Sequence, residues 1–249
     1  GTTALNGTVR TQGQQVTVQA LTLTGNGLFD SAFGSITGAN VTFGSSVDAS
    51  TAGVQNLTIN TGTAGDILFA GAVGSGTRLG DIVITNAHNV TQQSGIVAAS
   101  LTQSAGTGTT TLNGTTNTNT ATGIALTTNV ITINNTVTTT GSGGVRLTNA
   151  GLLTINANIS SDGSVTQDGA GLVTITSPVN DTRLITTTGD AVAFLRAVTE
   201  VGSGGQLSID TTAGGHAAGA NVTFSSTLNA TNAGTVAERL LINSGTGGD

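Results

Sequence analysis

The chain repeats itself, and no other feature constrains its fold so strongly. The hexapeptide GANVTF at Gly38–Phe43 returns unchanged at Gly219–Phe224. LTINTGTAGD at Leu57–Asp66 returns as LLINSGTGGD at Leu240–Asp249, and GTTALNG at Gly1–Gly7 matches GTTTLNG at Gly108–Gly114. Long-range self-similarity of this kind marks an array of stacked units, each contacting its neighbours, rather than a single globular core. Residues 1–249 therefore read as one solenoid segment in which 38–66 repeats as 219–249. The first copy runs on past Asp66 into ILFAGAVG, so the expectation is a piece of a longer tandem array.

A shorter signature fills the space between these copies: apolar, any, apolar, three variable residues, apolar. It appears as Val41-x-Phe43 with Val47, Ile131-x-Ile133 with Val137, Leu153-x-Ile155 with Ile159, and Val173-x-Ile175 with Val179. Alternation over a few residues rich in Val, Ile and Thr, bounded by Gly, Asn and Asp, is a strand pattern. DAVAFLRAVTEV from Asp190 also fits a helical face, but its register with its neighbours favours strand. Ile133, Ile155, Ile175 and Phe194 are 22, 20 and 19 residues apart. The reading is an all-β fold, a parallel β-solenoid, with two strands and two turns per coil. About twelve coils of roughly 20 residues would stack over ~55–60 Å. A right-handed β-helix follows from the general handedness of parallel crossovers. The expected core ladder is Phe43, Phe69, Ile84, Ile133, Ile155, Ile175, Phe194, Ile209 and Phe224.

Composition agrees with a thin apolar interior. Hydrophobic residues make up 36% of the chain, while charged residues make up 7% and aromatic residues 2%. Like charges stacked ~5 Å apart would repel in every coil, whereas Thr and Asn can ladder, as in Thr132 beside Thr154 or Asn134 beside Asn156. Pro178 must stand where no ladder hydrogen bond is donated.

The same composition narrows the chemistry. Without Cys, zinc-finger, thiol and disulfide chemistry is excluded. Six Arg against twelve acids and a net charge of −6 argue against a nucleic-acid partner. No apolar run is long enough for a transmembrane segment. His88 and His216 stand apart and read as solvated turn residues. Asp162 and Asp181, 19 apart in SSDG and VNDT, would be the carboxylate pair of a polysaccharide-cleaving β-helix if they stacked, as acid and base or as a calcium site, against the simpler reading of turn-forming Asp. The GTAGD and GTGGD turns are single and lack the tandem run of a calcium-binding array. Triplets such as Asn40-Val41-Thr42 and Asn221-Val222-Thr223 are expected by chance in a chain rich in Asn and Thr. TLNGTTNTNT at Thr111–Thr120 suggests a Thr array like that of an ice-binding solenoid, but a regular Thr-x-Thr in every coil is not evident.

In texture and repeat style, as in GLLTINANISSDGSVTQDGAGLVTIT, the whole chain resembles the repeat regions of large bacterial surface proteins. The families are the filamentous-haemagglutinin-like exoproteins and autotransporter adhesins. The resemblance implies a secreted, cell-surface shaft with no catalysis and no cofactor. Its partners would be itself, through end-to-end or tandem stacking into a fibre, and surface glycans or host and matrix polymers. A secreted carbohydrate-active enzyme and an ice- or surface-binding solenoid are the alternatives.

Overall fold

The computed structural model describes residues 1–231 and 237–249. The chain winds as a parallel β-solenoid, and every pairing between the described strands is parallel. Each full turn lays down three strands on three faces. Face one is a ten-stranded sheet running from Val16–Val18 through Val41–Phe43, Ile67–Phe69 and so on to Leu228–Ala230. Faces two and three belong to one continuous 17-stranded sheet. The long strand Ala20–Asp30 shows why: its first half pairs with Val47–Ala49 on face two and its second half with Leu57–Asn60 on face three. Among the described residues the one helical element is the short 3-10 turn Ala213–Gly215. The segment from Asp190 is strand, at Val192–Phe194 and again at Val198–Val201.

The solenoid has about nine turns, fewer than twelve. The expectation of two strands per coil undercounted the strands in a turn, because the third side is reached through corners of uneven length. Stacked partners on face one lie 20 residues apart at Leu153 and Val173 but 30 apart at Val198 and Leu228. At ~4.8 Å per turn, nine turns span ~43 Å.

The interior is a continuous apolar column. Phe43, Phe69, Ile84, Ile133, Ile155, Ile175, Phe194 and Ile209 are fully buried, and Phe224 is packed against the core but partly open. They do not share one ladder. Phe43, Phe69, Ile133, Ile155 and Ile175 point inward from face one, Ile84, Phe194 and Phe224 from face three, and Ile209 from face two. The thin interior does take rings where they stack along the axis. Phe43 and Phe69 lie 5.2 Å apart with nearly parallel planes, and Phe194 and Phe224 lie 5.6 Å apart.

The repeated sequences reveal a further regularity. Val41–Phe43 stands on face one, whereas its copy Val222–Phe224 stands on face three. Leu57–Asn60 stands on face three and the corresponding Arg239–Asn243 on face two. The second copy is therefore displaced by one face, yet it builds the same corner. Thr63 and Ala64 donate backbone hydrogen bonds to the carbonyls of Ile36 and Thr37, as Thr246 and Gly247 do to Ala217 and Ala218. Gly38 and Gly219 take φ of 63° and 62° there, and a Cβ on either would come within 2.1 Å of the carbonyl oxygen stacked on it. Only glycine fits at that approach. The three sides are thus quasi-equivalent, so a segment's sequence dictates strand–corner–strand without dictating which side it occupies.

Candidate functional site

The surface most distinct in chemistry is the outside of face one. Its strands alternate inward apolar and outward polar residues, so the middle residue of each apolar-x-apolar tripeptide faces out. Thr fills that column at Thr17, Thr42, Thr91, Thr111, Thr132, Thr154, Thr174 and Thr199, with Leu68 and Asn229 at the two remaining strands. A column with one Thr on eight of these ten strands is therefore present, while the Thr-x-Thr in every coil that the sequence lacked is absent here too. Its uneven spacing along the chain hides the column from any fixed period. Beside it runs an Asn ladder, in which Asn134 donates to Asn113 and Asn156 to Asn134, each at 2.8 Å. Thr132 does stack beside Thr154.

The opposite edge of the face carries Asx residues whose side chains cap the next turn. Asn40 Oδ1 accepts from the backbone N–H of Asp66, Asp66 Oδ1 from that of Asn89, and Asn89 Oδ1 from that of Thr109. The same device recurs at Asn26 to Asn56 and Asn56 to Asp81. Where the chain turns a corner and loses a ladder bond, an amide or carboxylate from the preceding turn supplies the acceptor. A concavity of about 400 Å³ lies here, lined by Asn40, Asp66, Asn89, Thr91 and Thr111. A second, of about 590 Å³, follows the corner between faces three and one, beside Ala32, Ile36, Asn60 and Thr63.

The titratable residues singled out in the sequence are dispersed. His88 Nδ1 lies 3.0 Å from Asp66 Oδ1 and 2.9 Å from Asn89 Nδ2, half exposed at the turn. His216 is exposed and packs on Gly189, near enough to Asp162 to favour its charged form. Asp162 and Asp181 do not form a pair. Face-two register places Ser161 beside Thr187, so the residue stacked on Asp162 is Thr188, whose hydroxyl donates to its carboxylate at 2.7 Å. Asp181 occupies another corner, between faces one and two, where its carboxylate accepts from Thr182 N–H. The two Asp residues take different places in the turn, which removes the stacked-carboxylate alternative and leaves both as turn residues. The backbone N–H of Ser142, together with Thr188, holds the Asp162 carboxyl below its usual range. Pro178 lies in the turn before Asp181 and accepts at its carbonyl from that residue's N–H. Among the described residues no three of His, Asp and Glu converge to hold a metal ion.

Two buried charges were missed by sequence reasoning. Glu200, 3% exposed, points inward from face one in the place that Ile175 takes one turn earlier. Ser177 Oγ donates to it at 2.8 Å, yet burial, aided by the proximity of Glu238, pushes its carboxyl up. Arg183, 8% exposed, donates from Nε to the Thr176 carbonyl and from Nη1 to Asn158, and burial lowers its pKa. Val198-Thr-Glu200 ends in a charge where the other face-one tripeptides end apolar or, at Gln92, in a neutral amide, and that break was the available signal.

No protein-family model, curated protein or solved structure matches this chain. Among the described residues no helix is long and apolar enough to cross a membrane.

Proposed function

We propose that the chain is part of an extracellular structural fibre, a rigid shaft of the kind carried by bacterial surface adhesins, and that it performs no catalysis. The observation that carries this reading is the unbroken face-one ladder, where ten strands stack in parallel register without a shift. Such a stack places its backbone hydrogen bonds along the axis and seals an apolar core behind them, so resistance to bending and stretching is its direct mechanical product. The quasi-equivalent sides support the same reading. A shaft can lengthen by duplicating any strand–corner unit, without keeping whole turns in phase. Glycans, matrix polymers or copies of the chain would be its partners, engaged through many weak repeated contacts.

Single-molecule pulling along the axis tests the proposal. A shaft yields in steps, each releasing about one turn of 20–30 residues, or ~70–100 Å of chain. Smooth extension at low force would contradict it. The Thr column favours a second reading, an ice-binding face, and thermal hysteresis of the pure protein separates the two.

A further inference from the structure

Beyond the turns edged by Asp66, face one differs from the other two sides in charge. From Thr109–Leu112 to Val198–Val201 its outward positions hold Thr, Asn, Val, Leu and Ala and no ionisable group, since Glu200 points inward. Face two presents Asp48 and Asp210, and face three presents Arg146 with Asp168 at its edge. Along one margin of the neutral stretch Leu152 and Leu172 stand on successive turns, 43% and 61% exposed. Along the other margin the Asn amides bond one another along the axis, which leaves the Thr column between them as the outermost contact.

We propose that face one is a lateral interface through which two copies of this chain pair, sheet against sheet. A second copy is the occupant because its outward side chains recur at the same ~4.8 Å interval, so the Thr columns can interdigitate along their whole length. The missing charge is the composition expected at the desolvated centre of an interface. The exposed Leu152 and Leu172 gain cover that solvent does not give them. Taken over all ten strands, five residues of width by nine strand spacings give ~700 Å² per partner, close to the ~800 Å² of a stable complex, the uncharged turns making up about half of it and Asp66 standing at its edge. One self-complementary face makes a closed pair, so association stops at the dimer. The inference goes beyond a shaft role, because it concerns how shafts would be bundled, and it stands or falls separately from that role.

Sedimentation of the full chain across a wide concentration range tests it, alongside Thr154→Arg on face one and Thr138→Arg on face two. The wild type and Thr138→Arg are expected to form a dimer. Thr154→Arg, with an unpaired guanidinium buried at the contact, is expected to dimerise on the order of a hundredfold more weakly. Unchanged thermal unfolding of the variants at low concentration shows that the fold is kept. A wild-type chain that stays monomeric at the highest concentration overturns the proposal, with or without thermal hysteresis. Open-ended oligomers indifferent to Thr154→Arg also overturn it, since they would show end-to-end stacking instead.

Discussion

Inside the axial column that holds Ile155 and Ile175, the Glu200 carboxylate accepts a hydrogen bond from Ser177 Oγ at 2.8 Å. Burial raises its pKa, so the folded protein holds the proton more tightly than the unfolded chain does. The sign follows from linkage. The contribution is most favourable below the ordinary carboxyl range and is lost as pH rises through the raised value. Glu200→Gln is expected to stabilise the protein at neutral pH, on the order of 1 kcal/mol, and to have little effect near pH 4. Denaturant titrations at the two pH values check this. A variant less stable at neutral pH would contradict it.

Asp168 has the opposite sign. Burial opposes its ionisation, but hydrogen bonds from Thr148 and Arg146 outweigh it and hold the carboxyl below its usual range. Its stabilisation is present above the unfolded carboxyl pKa of ~3.9 and is lost as pH falls through the folded value. Arg146 is largely exposed, so Asp168→Asn should cost no more than about 1 kcal/mol at pH 7. It should also flatten the acid limb of the stability profile. An acid limb identical to wild type would rule out this role.

The stacked rings of Phe43 and Phe69 are among the largest side chains of the core. Phe69→Ala removes a fully buried ring and is expected to cost about 3–5 kcal/mol. In a stack whose turns contact only their neighbours, the loss should be greatest nearby. Hydrogen exchange should quicken around Val41–Phe43 and Val90–Gln92 before it does at Val173–Thr176. Uniform acceleration across the chain would show a globally cooperative unit instead.

Gly38 and Gly53 separate two demands on glycine. Both have positive φ, but a Cβ at Gly53 meets open space while one at Gly38 would lie 2.0 Å from Thr61 O. Gly53→Ala should cost about 1–2 kcal/mol from backbone conformation alone. Gly38→Ala should cost clearly more, since the corner must also part. Equal losses in melting experiments would remove the corner-stacking account of the repeated hexapeptide.

What could be read from the sequence was what is local and periodic. Val, Ile and Thr alternation identified the strands, and the neighbours Thr132 and Thr154, or Asn134 and Asn156, followed from matching tripeptides. The number of sides did not follow, because corners such as that between Asp210 and Val222 vary in length while the strands do not. The same cause hid the Thr column. It also made Asp162 and Asp181 look equivalent, though one follows a face-two strand and the other precedes one. Glu200 and Arg183 escaped because their burial depends on which turn covers them, a property of stacking rather than of the surrounding residues.

The shaft reading is tested most directly by electron microscopy of intact source cells labelled with antibody against this chain. The account predicts label along thin fibres projecting from the surface, with an axial repeat of ~4.8 Å in oriented material. Label confined to the cell interior, or to discrete soluble particles outside it, would contradict it.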